Sequence, residues 1–514
     1  MNTSIGKLGA VLAFATLILT GCGGGGGGGS GVSPPPPPPP PPTGGITRTG
    51  VAVAVGPITG FGSVIVNGVT YQTNAATEFT RDDNPSDQDA FEIGETVIVK
   101  GTIDDNNANA VAESVELDEI VKGPATSLVD LNTAIVMGQT VNSTATTSID
   151  NNCGGVTFDD LTGLTGFFAV EVYGTVQAGG AIDATRIECK QPGEVTEFEI
   201  NGIVSGNVPA TTFMINALQV NYSATPLIQN FPNGAPEDGQ PVEVKGAPAD
   251  FSIGNPGEPD VLAASKVEYK GNRLDGNEGD HFEIEGFISA FRGVDDFDVR
   301  VGLDTFTVVT DPAFTTFEGD ENLLDVNVKV EVEGELDGDF NIFASKVEIK
   351  TSTNIRVTGV VDTFDPNEPG VIRVLNIRIN TVDGQTRFED KRDDDPNFDA
   401  GSVMAGDYVE ARGQEIPAGE ITAFVFERDD LDPDTELRGF VEDDSVNGRD
   451  SFEILGVTVD TTSPQLVYQD DNDSPISADA FWSAVGTGGV IVDVKGTETG
   501  TTALQASELE LEME

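Results

Sequence analysis

Apolar and polar residues alternate along this chain in short runs rather than at helical intervals. The clearest run is Val330-Glu331-Val332-Glu333-Gly334, with valines on one face and glutamates on the other, as in a half-buried strand. A polar turn and then Ala344-Ser345-Lys346-Val347-Glu348 follow. Simple alternation puts Phe343, Ser345, Val347 and Ile349 on one face of this second strand and Ala344 and Lys346 on the other. The same pair recurs at Val97–Gly101 with Ala112–Glu116, Val170–Gly174 with Ala184–Glu188, and Val242–Gly246 with Ala264–Glu268. Two more copies are Val409–Gly413 with Ala423–Glu427 and Val492–Gly496 with Ala506–Glu510. Six copies at spacings of 72 to 88 residues are internal repeats. The recurring alanine sits on the nominally outward face, so either a bulge turns it inward or a neighbouring strand passes close above it.

Other elements surround this pair in a common order. In the first copy Ile58-Thr59-Gly60 opens the unit, and Val64-Ile65-Val66-Asn67-Gly68-Val69-Thr70-Tyr71 reads as strand, turn, strand. Thr77-Glu78-Phe79 closes a third strand before an acidic loop, Asp82 to Asp89. Opening glycines are read at Gly60, Gly123, Gly202, Gly286, Gly359 and Gly439. Units of about 70 residues without helical periodicity predict an all-β fold of six tandem, small, five- to six-stranded OB-like β-barrels, closed so that no edges are exposed. An immunoglobulin-like sandwich is the alternative, but it needs about 100 residues and seven strands. The insertion Ser477 to Val485 predicts a helical turn or two. The repeats are assigned to residues 51–121, 122–192, 193–272, 280–351, 352–430 and 435–514, and their complete strand sets predict that each folds alone.

Residues 1–22 read as an export signal, with Lys7 before an apolar run, Leu8 to Leu19, that is short for a bilayer span. Its end, Leu19-Thr20-Gly21-Cys22, resembles the lipobox of bacterial lipoproteins. That resemblance implies a diacylated Cys22 and, with Gly23 next, a lipid anchor in the outer membrane, facing the periplasm or displayed at the surface. Residues 23–50 form a tether, flexible at Gly23–Gly29 and stiff over the nine prolines Pro34–Pro42. In polyproline II form that run reaches roughly 28 Å.

The pattern G-x-V, a strand ending near glycine, T-x-F, V-x-V-x-G and A-x-x-V-E resembles a tandem-repeat family of unknown function found in bacterial lipoproteins and exported proteins. The likeness runs from about Val55 to Glu510, with repeat three departing at Phe251 to Glu258 and repeat five carrying Ala411 in place of valine. It implies exported β-barrel modules and supplies no catalytic residues.

Charge changes the picture more than composition does. Among 514 residues, 86 Asp and Glu against 27 Lys and Arg give a net charge of −59, which excludes nucleic acid as a partner and would extend a string of barrels by repulsion. The sole histidine, His281, reads as a surface residue and rules out a histidine-rich metal site. Acidic clusters lie at Asp82–Asp89, Asp393-Asp394-Asp395 with Asp399, Asp429–Asp434 and Asp470–Asp473. The best calcium candidates are Asp337, Asp339 and Asn341 in one turn, with Asp393 and Asp395 in another, although none has a full ligand set. Cys189 fills a column held elsewhere by Leu117, Tyr269, Ile349 and Leu511, so it is either a buried apolar residue or half of a disulfide with Cys153, which an exported setting favours. The expectation is a non-enzymatic, lipid-anchored envelope protein, without a cofactor unless calcium, that presents barrels for binding or spacing. Its partners are the membrane, through the lipid, and an unidentified envelope or extracellular ligand. A calcium-dependent or carbohydrate-binding adhesion module is the alternative, and a carboxylate-based hydrolase stands behind it.

Overall fold

The computed structural model describes residues 49–104, 110–271, 274, 276–319, 321–350, 355–364, 370–382, 386–415, 419–442, 445–470, 474–486 and 488–511. The export signal, Cys22 and nearly all of the tether lie outside these residues. Repeat four sets the plan. Strand one (His281–Gly293) pairs antiparallel with strand four (Lys329–Leu336) and, past Gly286, with strand two (Asp296–Val301). Strand two pairs with strand three (Asp304–Val309), and strand three runs parallel to strand five (Ile342–Lys350). Strand five returns to strand four, which closes a five-stranded barrel in the order 1-2-3-5-4-1. A short segment, Thr316–Glu318, adds to strand five as a sixth. Repeat one closes by the same ladders, and so does repeat five. Strand one of repeat one is Thr49–Gly60, so it begins two residues inside the stretch assigned to the tether, and Ile58–Gly60 is its end.

The recurring alanine is explained by a bulge. Glu333 faces Lys346 while Gly334 faces Ala344, so Ser345 is an extra residue on strand five. The phase of the strand therefore flips: Ile342 and Ala344 point inward before the bulge, Val347 and Ile349 after it. Strict alternation had placed Phe343 with Val347, yet Phe343 is 39% exposed and Ala344 fully buried. The same shift falls at Gly101/Ala112, Gly174/Ala184, Gly413/Ala423 and Gly496/Ala506. It also dictates the glycine. A Cβ on Gly101, Gly174, Gly334, Gly413 or Gly496 would lie 2.0–2.4 Å from the carbonyl oxygen of the residue before the alanine.

The threonine of T-x-F completes the device. Its hydroxyl donates to the bulged alanine's carbonyl in Thr77–Ala112 (2.9 Å), Thr147–Ala184 (2.6 Å), Thr315–Ala344 (2.7 Å) and Thr386–Ala423 (2.7 Å). The same oxygen accepts an N–H from the turn before it, at Asn74, Thr144, Asp311 and Val382. A buried carbonyl that the bulge removes from the ladder is thus satisfied locally. The opening glycine has a separate cause, because strand one bends there beneath strand two. In repeat one that residue is Gly56 rather than Gly60, since a Cβ on Gly56 would strike the Asn67 side chain at 2.1 Å. In the sixth copy the insertion forms a helix, Ala478–Val485, capped by the Ser477 hydroxyl and burying Phe481, Trp482 and Val485.

The repeats do not stand apart. In repeats one to five only the second half of strand one is paired with strand two, which leaves its first half as an edge, and another repeat's strand one covers that edge. Repeats two and three join through Val121–Gly123 and Phe198–Ile203, antiparallel. Repeats five and six join through Ile355–Phe364 and Thr435–Phe440, also antiparallel. Repeats one and four join in parallel, Ala52–Val55 against His281–Ile284. Each of the first two pairs has one continuous apolar core. Independent folding of every copy and an extended string were expected; instead, sheets and cores run across repeats within one unit, Thr47–Glu514.

Candidate functional site

The sequence candidates occupy separate places. Cys153, in the short turn Asn151–Cys153, is bonded to Cys189 in strand five of repeat two, with Cα atoms 5.0 Å apart and both residues buried. His281 is buried at the repeat one–four junction, not on the surface, because strand one of repeat one lies along it. The Asp337 carboxylate is taken up by its own turn, accepting from Asp339 N (2.8 Å), Asn341 N (2.9 Å) and Asn341 Nδ2 (3.0 Å). These bonds hold it below the usual carboxylate range. Asp393 pairs with Arg392 (3.0 Å) and Arg428 (3.4 Å), and Asp395 accepts from Asn397 N (3.0 Å).

Two groups of three carboxylates among the described residues lie at metal-ligand spacing, and neither contains any of these five residues. Both groups hold protein cations. Around Asp83, Glu243 and Glu268 stand Lys266 (2.8 Å from Asp83), Lys270 (3.1 Å) and Lys245 (3.2 Å). Asp83 belongs to the acidic loop of repeat one and the lysines to repeat three, so the loop docks one repeat on another. The lysines outweigh burial and lower the Asp83 pKa. Among Glu92, Asp150 and Glu188 sits Arg186, which joins repeat one to repeat two. Although burial pushes the other way, Arg186 and Lys190 hold the Glu188 carboxyl at about 2. At both of these junctions the scarce cations hold carboxylates of two repeats together.

One junction encloses space. A cavity of about 730 Å³ is walled by Pro57, Thr59 and Asn67 of repeat one, Asn132, Thr146, Phe158 and Asp183 of repeat two, and Glu285, Phe287, Lys329, Glu331, Ile349 and Lys350 of repeat four. Ile355, Arg356, Arg387 and Phe424 of repeat five and Arg438 of repeat six complete it. Its volume is that of a small-molecule site. Five cations (Lys329, Lys350, Arg356, Arg387, Arg438) meet four carboxylates (Asp159, Asp183, Glu285, Glu331), the reverse of the chain's overall balance. Most of these cations are paired: Lys329 with Glu285 (2.7 Å), Lys350 with Glu331 (3.0 Å), and Arg356 with Asp159 and Asp493. Phe158 is covered by two guanidinium groups, Arg412 at 4.3 Å and Arg356 at 5.3 Å from its centroid.

Arg387 differs. It is buried, its Nη1 donates to the Thr185 carbonyl (3.0 Å), its Nη2 donates to the Thr146 carbonyl, and it has no carboxylate within ion-pairing distance among the described residues. Burial and the neighbouring Arg412 pull its pKa down to about 10. Sequence reasoning passed over this residue. The available signal was its place in Thr386-Arg387-Phe388, the middle of T-x-F, where other repeats carry Glu78, Ser148 or Thr316.

Among the described residues no helix is long and apolar enough to cross a membrane, which has no bearing on strands. No curated protein matches the chain. The sequence profile of a domain of unknown function, DUF5666, matches four tandem stretches, 54–116, 122–188, 285–348 and 358–424. These are repeats one, two, four and five, the four in which the threonine clips the bulged alanine. By those matches the chain belongs to the DUF5666 family, as a tandem-repeat member.

Proposed function

We propose that this chain is a non-enzymatic, lipid-anchored binding protein of the bacterial outer membrane, built of six OB-like barrels gathered about a ligand cavity. The barrel reading of all six copies is supported by the order 1-2-3-5-4-1, which repeats two and three keep with breaks at Pro124, Val204 and Ala264-Ser265, and by repeat six, whose strands pair in the order 2-3-5-4-1 with Glu442 N donating to the Glu453 carbonyl between the two ends. The anchor rests on Leu19-Thr20-Gly21-Cys22 and the glycine–proline stretch behind it. The observation that carries the function is the cavity, because residues from five repeats wall it and its chemistry is not repeated. That arrangement favours binding over spacing, since paired barrels shorten the molecule that a spacer would extend. A second reading, carbohydrate adhesion, is favoured by the exposed rings Phe314 and Phe343, 6.3 Å apart on repeat four with Phe340 also exposed.

The test has two arms. Cys22→Ser is expected to abolish fatty-acid labelling and membrane association, and persistent labelling would end the anchor reading. Full-length protein is expected to be stabilised thermally by small molecules whose effect disappears when the cavity wall is altered. Stabilisation by glycans alone, lost on Phe314→Ala, would move the function to the repeat-four patch.

A further inference from the structure

We infer that the shared cavity takes a singly charged organic anion, a carboxylate on an apolar body, with Arg387 as the residue that receives the charge. The inference rests on the binding reading above and narrows it to one ligand class. Arg387 lines the cavity and is buried, and among the described residues no carboxylate lies within ion-pairing distance of it, although Glu285, Glu389 and Glu427 act on it from farther away. Its two hydrogen bonds go to neutral carbonyls of repeat two. A guanidinium carries five N–H donors, so donors remain beyond those two. A buried cation with no carboxylate in direct contact is costly, and a bound carboxylate would supply that contact.

The rest of the wall fixes the ligand's class. The other basic side chains are engaged: Lys329, Lys350 and Arg356 by carboxylates, and Arg438 by an interaction of its own. Arg387 thus stands apart in the wall as the cation whose described hydrogen bonds all go to neutral groups. A dianion such as phosphate would bring a surplus negative charge beside Asp159, Asp183, Glu285 and Glu331. A cation would meet Arg387 with repulsion. Beside these charges Phe287, Phe424, Ile349 and Ile355 offer apolar surface, which suits a hydrophobic body better than a small inorganic ion.

Matched probes test this: 4-biphenylcarboxylate, 4-biphenylmethanol and 4-biphenylmethylammonium, by equilibrium dialysis against the full chain in nanodiscs, with empty nanodiscs as blank. The expected result is one carboxylate per chain, bound at least about 10-fold tighter than the alcohol, as a hydrogen bond to a charged group gives. The ammonium should be weakest. Arg387→Met should bring the carboxylate to the alcohol's level while leaving the alcohol unchanged, and Arg387→Lys should keep the order. An alcohol or ammonium that binds wild type as well as the carboxylate overturns the inference but leaves a binding cavity standing. A carboxylate preference that survives Arg387→Met also overturns it, as does the absence of all three from the protein. Should Arg387→Met fail to fold, Thr59→Trp fills the cavity from repeat one, and undiminished carboxylate binding to it would refute the location.

Discussion

Repeats two and three meet as repeats five and six do: adjacent in the chain, strand one antiparallel to strand one, with a single apolar core. Repeats one and four meet differently. More than two hundred residues separate Ala52 from His281, their strands run parallel over four residue pairs, and each barrel keeps a largely separate core. Repeat one lends only Val53, Val55 and Ile98 to repeat four. Much of this junction is polar, with buried Asn67 donating across it to the Glu283 carbonyl (3.3 Å). Neighbours in sequence can merge cores because little loop entropy is lost in bringing them together. The distant pair must meet over a longer loop, and it does so with a short ladder and hydrogen bonds while each core stays largely its own.

The contrast is broken most severely by cutting the pairs apart. A fragment of residues 352–514 is expected to melt in one cooperative transition, whereas 352–430 alone, stripped of half its core, should show none. Repeat one alone, residues 47–121, should keep a cooperative transition because its core is mainly its own. Circular dichroism melts of the three fragments decide the matter, and equal behaviour of the two single repeats would erase the distinction.

Within repeat five, Gly413→Ala should cost several kcal/mol, about 3–5, because the new Cβ would sit 2.0 Å from the Thr422 carbonyl oxygen on a strand that cannot yield. Gly419→Ala is the control. Its φ is positive but nothing lies within 4 Å, so about 1 kcal/mol is expected. Urea midpoints of the 352–514 fragment compare them, and equal losses would remove the bulge from the explanation.

These residues also show what the sequence could tell. The spacing of V-x-V-x-G and A-x-x-V-E revealed six copies and the strands that carry them, because half-buried strands must alternate. Alternation also failed at an informative place. Ala344 was out of phase for a reason, and choosing the bulge required the pairing of Gly334, which a single strand does not display. The pairing of repeats was hidden altogether. The first half of strand one looks the same whether its edge meets water or another barrel, and the Asp83–lysine docking joins residues more than 160 positions apart. Arg387 was overlooked because a lone basic residue in a strand reads as a solvated face until its surroundings are seen.

The disulfide acts inside the adjacent pair, tying the turn at Asn151–Cys153 to the strand that faces repeats one and five. It spans 36 residues, for which the chain-entropy model gives roughly 3–4 kcal/mol. Native protein is expected to yield no alkylatable thiol from Cys153 or Cys189, and reduction should lower the midpoint of a 122–272 fragment while leaving 352–514 unmoved. Two reactive thiols in unreduced protein would defeat this.

The smallest effect concerns pH, and it separates the charged junctions from the apolar ones. At the repeat one–two contact Glu95 is fully buried, and burial pushes its carboxyl up to about 8, with Arg81 at 2.6 Å opposing and Glu188 and Glu171 adding to the rise. Between repeats two and three burial, with Glu243 nearby, raises Glu199 to about 7. A carboxyl raised in the folded state binds its proton more tightly there than in the unfolded chain, whose value is about 4.3. From that value up to the folded one the native state holds more protons, so stability falls as pH rises across this window. Glu188 and Glu427, held at about 2, act oppositely and lose their contribution as pH falls from about 4.3 toward 2. Stability should therefore peak near pH 4–5 and decline on both sides. Glu95→Gln keeps the acceptor for Arg81 but cannot ionise, so its stability relative to wild type should rise between pH 5 and pH 8. The expected change is roughly 1 kcal/mol, or about 1 °C in Tm for a unit of this size, less than the full shift would give because local relaxation and water entry relieve a buried charge. Melts of both proteins at the two pH values measure it. A difference that stays flat, or that falls with pH, would mean that Glu95 is ionised throughout and that the junction is an ordinary ion pair.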